Sequence, residues 1–131
     1  MATPARSSGD AEDDNNATGE GYIPERGDLV WLSWNPQAGH EQAGRRPALV
    51  LSPKRYNQLA GLALFCPITS KVKGYTFEVS LPSGLSITGV VLADQVRSLD
   101  WNVRGATFIS HAPAAVLSEV LAKIDALLRV S

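Results

Sequence analysis

The feature that most constrains the fold is a series of short strand-like segments that follow one another closely along the chain. Each is rich in apolar residues and bounded by Gly, Pro, Ser or Asp, which is typical of strands separated by turns. Short strands at this spacing predict a curled antiparallel sheet or a small barrel. A chain of 131 residues is expected to form it as one domain. The segments are residues 29–34, 47–52, 62–66, 77–81, 89–92, 95–99 and 106–109.

The end of the chain changes to a helical pattern. From Pro113 onward, apolar residues recur with the spacing of one helix face, which predicts a long amphipathic helix whose first turn accepts the proline. Its apolar stripe is expected to cover an open side of the sheet, because a helix of this length is marginal alone. A short helical turn is also predicted at residues 53–59. The stripe comprises Val116, Leu117, Val120, Leu121, Ile124, Leu127 and Leu128.

The connection between the first two strands, residues 35–45, is longer than a hairpin loop usually is. It contains two glycines, Gly39 and Gly44. Loops of this length often carry binding or catalytic residues, so this segment is the first candidate for function.

The charges are unevenly distributed, although the net charge of the chain is only −1. Residues 1–20 hold one cation and five acidic side chains, and the rest of the chain holds eleven cations and eight acidic side chains. Between Glu41 and Glu78 there are six cations and no acidic residue. This asymmetry indicates a positive face suited to phosphates; the alternative is a solvated surface with mixed neighbours. The six cations are Arg45, Arg46, Lys54, Arg55, Lys71 and Lys73.

Residues 1–20 are expected to be a disordered acidic tail, and residues 21–131 the folded domain. Beyond Met1 the tail has no large apolar residue, so it cannot bury enough surface to offset its ordering entropy. It is either a solubilising extension or a set of anions that competes for the basic face. No apolar run resembles a signal peptide or approaches the roughly 20 residues of a membrane span. A cytoplasmic protein without a membrane segment is therefore expected.

Several kinds of chemistry have no motif in this chain. Cys66 is the only cysteine, which excludes an intramolecular disulfide and a zinc site with several thiolates. No nucleotide-binding loop, nucleophile elbow or zinc-protease motif is found, so no metal or nucleotide cofactor is expected. The histidines are His40 and His111. His111 is expected to be a surface or capping residue, while His40 in the long loop either takes part in acid–base chemistry or lines the loop.

One run of residues, EQAGRRP at 41–47, leads directly into the second strand. With it the sequence resembles the MazF/PemK family of toxin endoribonucleases, whose hallmark is Glu-Gln-x-Gly-x-Arg-Pro before an apolar strand. The resemblance covers residues 22–130 and rests on further matches in the family's order. These are GDLVW at 27–31, PIT at 67–69, KGYTFEV at 73–79, LADQVRS at 92–98 and RGAT at 104–107.

The resemblance implies an SH3-like curved antiparallel β-barrel with a long C-terminal helix, assembled as a homodimer. It implies a toxin that cleaves single-stranded RNA at a short sequence without a metal. It also implies a cognate antitoxin whose acidic, flexible C-terminal segment lies over the active site. By position, Arg46 and Thr69 correspond to the family's catalytic arginine and threonine, and Glu41 occupies the acidic position of the loop motif.

Metal-free RNA cleavage uses the ribose 2′-hydroxyl as nucleophile on the adjacent phosphate and yields a 2′,3′-cyclic phosphate and a 5′-hydroxyl. Arg46 offers a planar fork of donors for phosphate oxygens, and Thr69 offers a hydroxyl. The general base is open. The family's account assigns the proton to the arginine, but a guanidinium has a pKa above about 12. Glu41 or His40 is the alternative, if loop closure brings it to the 2′-oxygen.

RNA binding is expected to use cations and exposed aromatic rings. Trp31 and Trp101 are assigned to packing or to a dimer interface. A different class of function, a non-catalytic SH3-like binding module or a gyrase-poisoning toxin of the same fold, would not need Arg46 with Thr69. The predicted RNA-binding residues are Lys54, Arg55, Lys71 and Lys73 for phosphates, Trp34, Tyr56 and Tyr75 for bases, and Gln42 and Arg45 in the loop motif.

Overall fold

A computed structural model describes residues 21–34 and 44–130. The predicted acidic tail lies outside these residues. So do the loop residues His40, Glu41 and Gln42, whose predicted roles therefore stay predictions.

The described chain contains the predicted strands and helices, with bounds that differ by a few residues. The third strand is longer than expected, because it continues through Pro67 to Thr69. In chain order the elements are β1 (Asp28–Ser33), β2 (Arg45–Val50), α1 (Lys54–Ala60), β3 (Ala63–Thr69), β4 (Glu78–Ser80), β5 (Val90–Leu92), β6 (Arg97–Leu99), β7 (Thr107–His111) and α2 (Ala114–Arg129).

The strands form one antiparallel sheet of seven strands in the described part of the chain. Along the sheet the order is β4-β5-β3-β2-β1-β7, and β6 pairs separately with β3. Strand β3 is shared, because residues 63–65 pair with β6 and residues 68–69 pair with β5, while β2 lies along its other side. The expected fold class is confirmed: the sheet is antiparallel and curved, and the described strands leave it open, which is the curled-sheet alternative.

Both faces of the central strands are buried. Alternate residues of a strand point to opposite faces, so Leu29 and Leu49 belong to one apolar cluster, and Val30, Leu32 and Ala48 to another. Strand β1 is therefore buried on both faces. Trp31 is the exception in that strand and is 39% exposed.

Helix α2 covers the first of these clusters. Val116 and Val120 are buried against it, which confirms the expected packing of the helix on the sheet. Its remaining apolar residues are more exposed, and Leu127 and Leu128 are 44% and 78% accessible. Within the described residues, no helix has the length and hydropathy needed to cross a membrane.

Candidate active site

The register of β2 and β3 brings the two predicted catalytic residues to one place. Ala48 lies opposite Pro67, and Val50 lies opposite Phe65. When this register is continued by two residues, toward the start of β2 and the end of β3, Arg46 falls opposite Thr69. Residues two apart on a strand share a face, so both side chains point to the same side of the sheet. Both line an open groove of about 810 Å³.

The chain from residue 70 to residue 77 forms one wall of this groove. Glu78 stabilises the backbone of this wall, because its carboxylate accepts hydrogen bonds from the backbone N–H groups of Lys73 and Gly74 at 3.1 and 2.9 Å. From α2, Lys123 donates to the carbonyl of Thr76 at 2.7 Å. The wall therefore has a defined backbone, and it presents to the groove the side chains of Lys71, Lys73 and Tyr75.

Thr69 is half-buried and has a defined hydrogen-bond role. Its Oγ1 accepts from the backbone N–H of Lys71 at 3.1 Å, which leaves the hydroxyl hydrogen available to a ligand. Behind it lies Gly89, which has φ +123°. A Cβ at Gly89 would lie 2.2 Å from the carbonyl oxygen of Thr69, so the close approach requires glycine.

Arg45 and Arg46 are neighbours in sequence but have different surroundings. Arg46 is exposed and lines the groove. Arg45 points to the other face and is half-buried, where its Nη2 donates to the carbonyl of Gly105 at 2.9 Å and to Thr107 Oγ1 at 3.1 Å. In the described chain Arg45 thus joins β2 to the beginning of β7, away from the groove lining.

Trp34 lines the groove from the end of β1. Its backbone N–H donates to the carbonyl of Gly44 at 3.0 Å, and its carbonyl accepts from Arg104 Nη1 at 2.7 Å. The guanidinium of Arg97 lies 5.3 Å from the centre of its ring. The backbone of Trp34 is therefore fixed, and its ring packs against the second apolar cluster.

Three other predicted RNA-binding residues lie outside the groove lining. Lys54, Arg55 and Tyr56 are all on α1. Tyr56 lines a second, apolar cavity of about 750 Å³, together with Leu64, Val96 and the exposed leucines of α2. The sequence groups Lys54 and Arg55 in one basic run with Lys71 and Lys73, but α1 holds them outside the groove lining.

The structure adds groove residues that sequence reasoning did not assign. Asp94 and Gln95 line the groove directly after β5. They fall in the matched segment 92–98, and their position at a strand end was the available signal. Asp94 also lines the apolar cavity.

Burial, reinforced by the charge of Asp94, raises the pKa of the Cys66 thiol to about 12, so this thiol stays protonated and is not a nucleophile at neutral pH.

His111 lies at the end of β7 and is not part of the groove lining. Its Nδ1 is 2.9 Å from Oδ1 of the buried Asp28, and its side chain is mostly exposed. This agrees with its expected place at the surface. Asp28 also accepts a hydrogen bond from the hydroxyl of Tyr22. Burial and this contact raise the pKa of Tyr22 far above its usual value.

The protein is a small curved β-sheet protein with an open groove lined by cations. An arginine and a threonine line this groove together, and such a site suits an extended ligand that carries phosphates. Residues 25–128 match the PemK-like, MazF-like toxins of type II toxin–antitoxin systems, and the chain belongs to this family. The resemblance seen in the sequence is thereby confirmed.

Individual relatives agree with this membership. The chain is 49% identical over 107 residues to the endoribonuclease toxin MazF of Escherichia coli strain K12, covering 82% of this chain and 96% of the relative. It is 37% identical over 108 residues to the endoribonuclease PemK of Escherichia coli, covering 79% and 81%. A crystal structure of MazF from Deinococcus radiodurans has a TM-score of 0.76 and 59% identity, covering 83% of this chain and 99% of that one. A MazE–MazF complex from the same organism has a TM-score of 0.75 and 53% identity, covering 84% and 99%.

Proposed function

We propose that this protein is an endoribonuclease toxin that cleaves single-stranded RNA, in particular mRNA, at a short sequence and without a metal ion. The observation that carries the proposal is the placement of Arg46 and Thr69 in one groove. Membership of the toxin family and relatives named as endoribonucleases support it.

In the proposed reaction, the ribose 2′-oxygen attacks the neighbouring phosphorus and the bond from phosphorus to the 5′-oxygen breaks. The products are a 2′,3′-cyclic phosphate and a 5′-hydroxyl. Negative charge builds up on the non-bridging oxygens, where the Arg46 guanidinium donates in a fork and the Thr69 hydroxyl donates one further hydrogen bond. Donors fixed before the reaction stabilise this charge without reorganising.

The reaction also needs one proton removed from the 2′-oxygen and one delivered to the 5′-oxygen. Of the carboxylates that line the groove, Glu78 is engaged by two backbone N–H groups, whereas Asp94 is exposed. Asp94 therefore joins Glu41 and His40 as a candidate for proton transfer. The identity of the base stays open among these and Arg46.

Substrate binding follows from the groove wall. We assign Lys71 and Lys73 to RNA phosphates and Tyr75 to stacking with unpaired bases. Trp34 stays a proposed base contact through the part of its ring that the Arg97 guanidinium and the apolar cluster leave exposed. Tyr75 is 64% exposed, and Lys73 Nζ lies 5.8 Å from the centre of its ring, so a charge and a stacking surface adjoin. Arg45, Lys54, Arg55 and Tyr56 remain proposed contacts without support from the groove lining, and Gln42 stays a proposed contact outside the described residues.

The apolar cavity supports a homodimer. Its walls include Leu64, Val96, Leu121 and Leu127, each more than a third exposed, and a contiguous apolar patch of this kind marks an interface on a protein surface. Asp94 lines both this cavity and the groove, so a second copy seated here would adjoin the active site. Symmetric dimers are the commonest closed assemblies.

A cognate antitoxin is the second proposed partner. Its acidic, flexible C-terminal segment would lie over the groove, where Arg46, Lys71 and Lys73 offer positive charge. The likeness to a MazE–MazF complex supports this pairing. Because mRNA is the proposed substrate, we place the protein in the cytoplasm.

The test is incubation of the purified protein with RNAs of defined sequence in EDTA, followed by analysis of the new ends. Cyclic phosphate and 5′-hydroxyl ends are expected. Intact RNA across varied sequences, or a strict need for magnesium, would instead favour a non-catalytic binding module. Arg46→Ala should abolish cleavage while the affinity for RNA changes by only the 1–3 kcal/mol or so of one charged contact. Arg129→Ala, on α2 and ion-paired with Asp125, is the matched control.

A further inference from the structure

One arginine beside the groove has no part in the chemistry above. Arg97 begins β6, which pairs with β3 so that Arg97 lies opposite Phe65. Phe65 belongs to the cluster against which Trp34 packs, so Arg97 shares the face of Trp34. The Arg97 side chain is exposed, and its guanidinium carbon lies 5.3 Å from the centre of the Trp34 ring.

The partner of this guanidinium is held firmly. The carbonyl of Trp34 and that of Ser33 both accept hydrogen bonds from Arg104 Nη1, at 2.7 and 3.3 Å. The backbone N–H of Ser33 donates in return to the carbonyl of Arg104 at 3.0 Å. These bonds fix the backbone, and the ring of Trp34 packs against the apolar cluster that contains Phe65. A guanidinium beside this ordered ring loses less side-chain entropy when it binds a ligand.

The charge of Arg97 has no carboxylate partner among the described residues, whose ion pairs are His111 with Asp28 and Arg129 with Asp125. A guanidinium that lies over an indole is attracted to the ring through its charge and keeps N–H donors for a ligand. Those donors match two phosphate oxygens, which a lysine ammonium cannot do in the same way.

We infer that Arg97, stacked on Trp34, binds an RNA phosphate next to the scissile one and extends the cationic path of the groove beyond Arg46. This inference rests on the proposed endoribonuclease function. It assigns Arg97 to binding of the RNA backbone and not to the chemical step.

The experiment measures binding of a single-stranded RNA with one 2′-deoxynucleotide at the cleavage position, over a range of salt concentrations. Arg97→Gln should weaken binding about tenfold or more at low salt. It should also lower the slope of log affinity against log salt by about 0.7, the value for one phosphate contact on a single strand. In single-turnover cleavage of ordinary RNA, Arg97→Gln should raise the protein concentration needed for the half-maximal rate. Arg129→Gln, which removes an exposed arginine far from Trp34 in sequence, should change none of these quantities.

Two further variants test the stacking. Arg97→Lys should keep the salt slope but bind more weakly than the unaltered protein. In a Trp34→Leu background, Arg97→Gln should weaken binding by a smaller factor than in the unaltered protein. An unchanged slope in Arg97→Gln, or an equal loss in Arg129→Gln, would overturn the inference and leave the proposed function intact. If the unaltered protein neither binds nor cleaves RNA, both fail.

Discussion

Replacing Gly89 with alanine is the sharpest structural perturbation of the proposed site that leaves its functional groups in place. Gly89 has φ +123°, and an added Cβ would lie 2.2 Å from the carbonyl oxygen and 2.8 Å from the carbonyl carbon of Thr69. Ordinary contacts of a Cβ begin at 3.4 Å, so the two backbones must separate by about 1.2 Å. Both clashing atoms are backbone atoms, and no side-chain rotation can relieve them.

This separation moves Thr69 relative to Arg46. A misplacement of about 1 Å costs on the order of 10²-fold in rate when it disturbs the alignment of reacting groups. The positive φ adds roughly 1–3 kcal/mol of strain for a residue with a Cβ. We therefore expect Gly89→Ala to fold with a lower Tm and to cleave RNA about a hundredfold more slowly in single turnover, with RNA affinity within a few-fold of the unaltered protein.

The control separates strain from displacement. Gly84 also has a positive φ, +98°, but an added Cβ there meets nothing within 4 Å. Gly84→Ala should have a similarly lowered Tm, because its backbone is strained in the same way, but it should keep its rate of cleavage. The assay is single-turnover cleavage at saturating protein, with thermal unfolding of each variant measured in parallel. A normal rate in Gly89→Ala, or an equal loss of rate in Gly84→Ala, would refute the reasoning.

Three further predictions concern the site, the core and the assembly. Thr69→Val should lower the single-turnover rate about 10²- to 10³-fold, because one donor to the developing charge is lost, and Thr69→Ser should restore most of it; an unaffected Thr69→Val would exclude the hydroxyl from the reaction. Burial raises the pKa of the Cys66 thiol to about 12 in the folded protein. In the unfolded chain the same thiol loses its proton at a lower pH, so the free energy of unfolding should fall as the pH rises above about 8.5. Chemical unfolding from pH 7 to 10 should show this decline in the unaltered protein and a weaker decline in Cys66→Ala; identical pH profiles would contradict it. Leu127→Lys in the apolar cavity should shift sedimentation toward the monomer, whereas Leu59→Lys on the exposed side of α1, outside that cavity, should not; equal sedimentation of the two variants would oppose a dimer through this face.

Much of the fold was predictable because the strands and the terminal helix differ in hydrophobic period. The register was not. Nothing in the periodicity states that Ala48 lies opposite Pro67, and it is this pairing that sets Arg46 beside Thr69. Their assignment from sequence came from the resemblance to a family, and the geometry supplies the physical reason for their proximity. The branching of the sheet was not predictable either, because one strand, β3, pairs with two different neighbours along one side.

The basic residues show where a one-dimensional charge pattern fails. Lys54 and Arg55 belong to the same cationic run as Lys71 and Lys73, but a helix separates them from the groove lining. Arg97 was overlooked because its neighbours in sequence carry no basic pattern. Its stacking on Trp34 joins residues far apart in the chain. Gly89 was overlooked for the same reason, since its contact with Thr69 is a close approach of two backbones.

The central claim is that Arg46 and Thr69 hold a phosphodiester so that the neighbouring ribose 2′-oxygen attacks it. The most direct measurement compares a cleaved RNA with the same RNA carrying a single 2′-deoxynucleotide at the cleavage position. Both strands should bind with similar affinity, and the substituted strand should remain intact. Cleavage of the substituted strand at that position would contradict it.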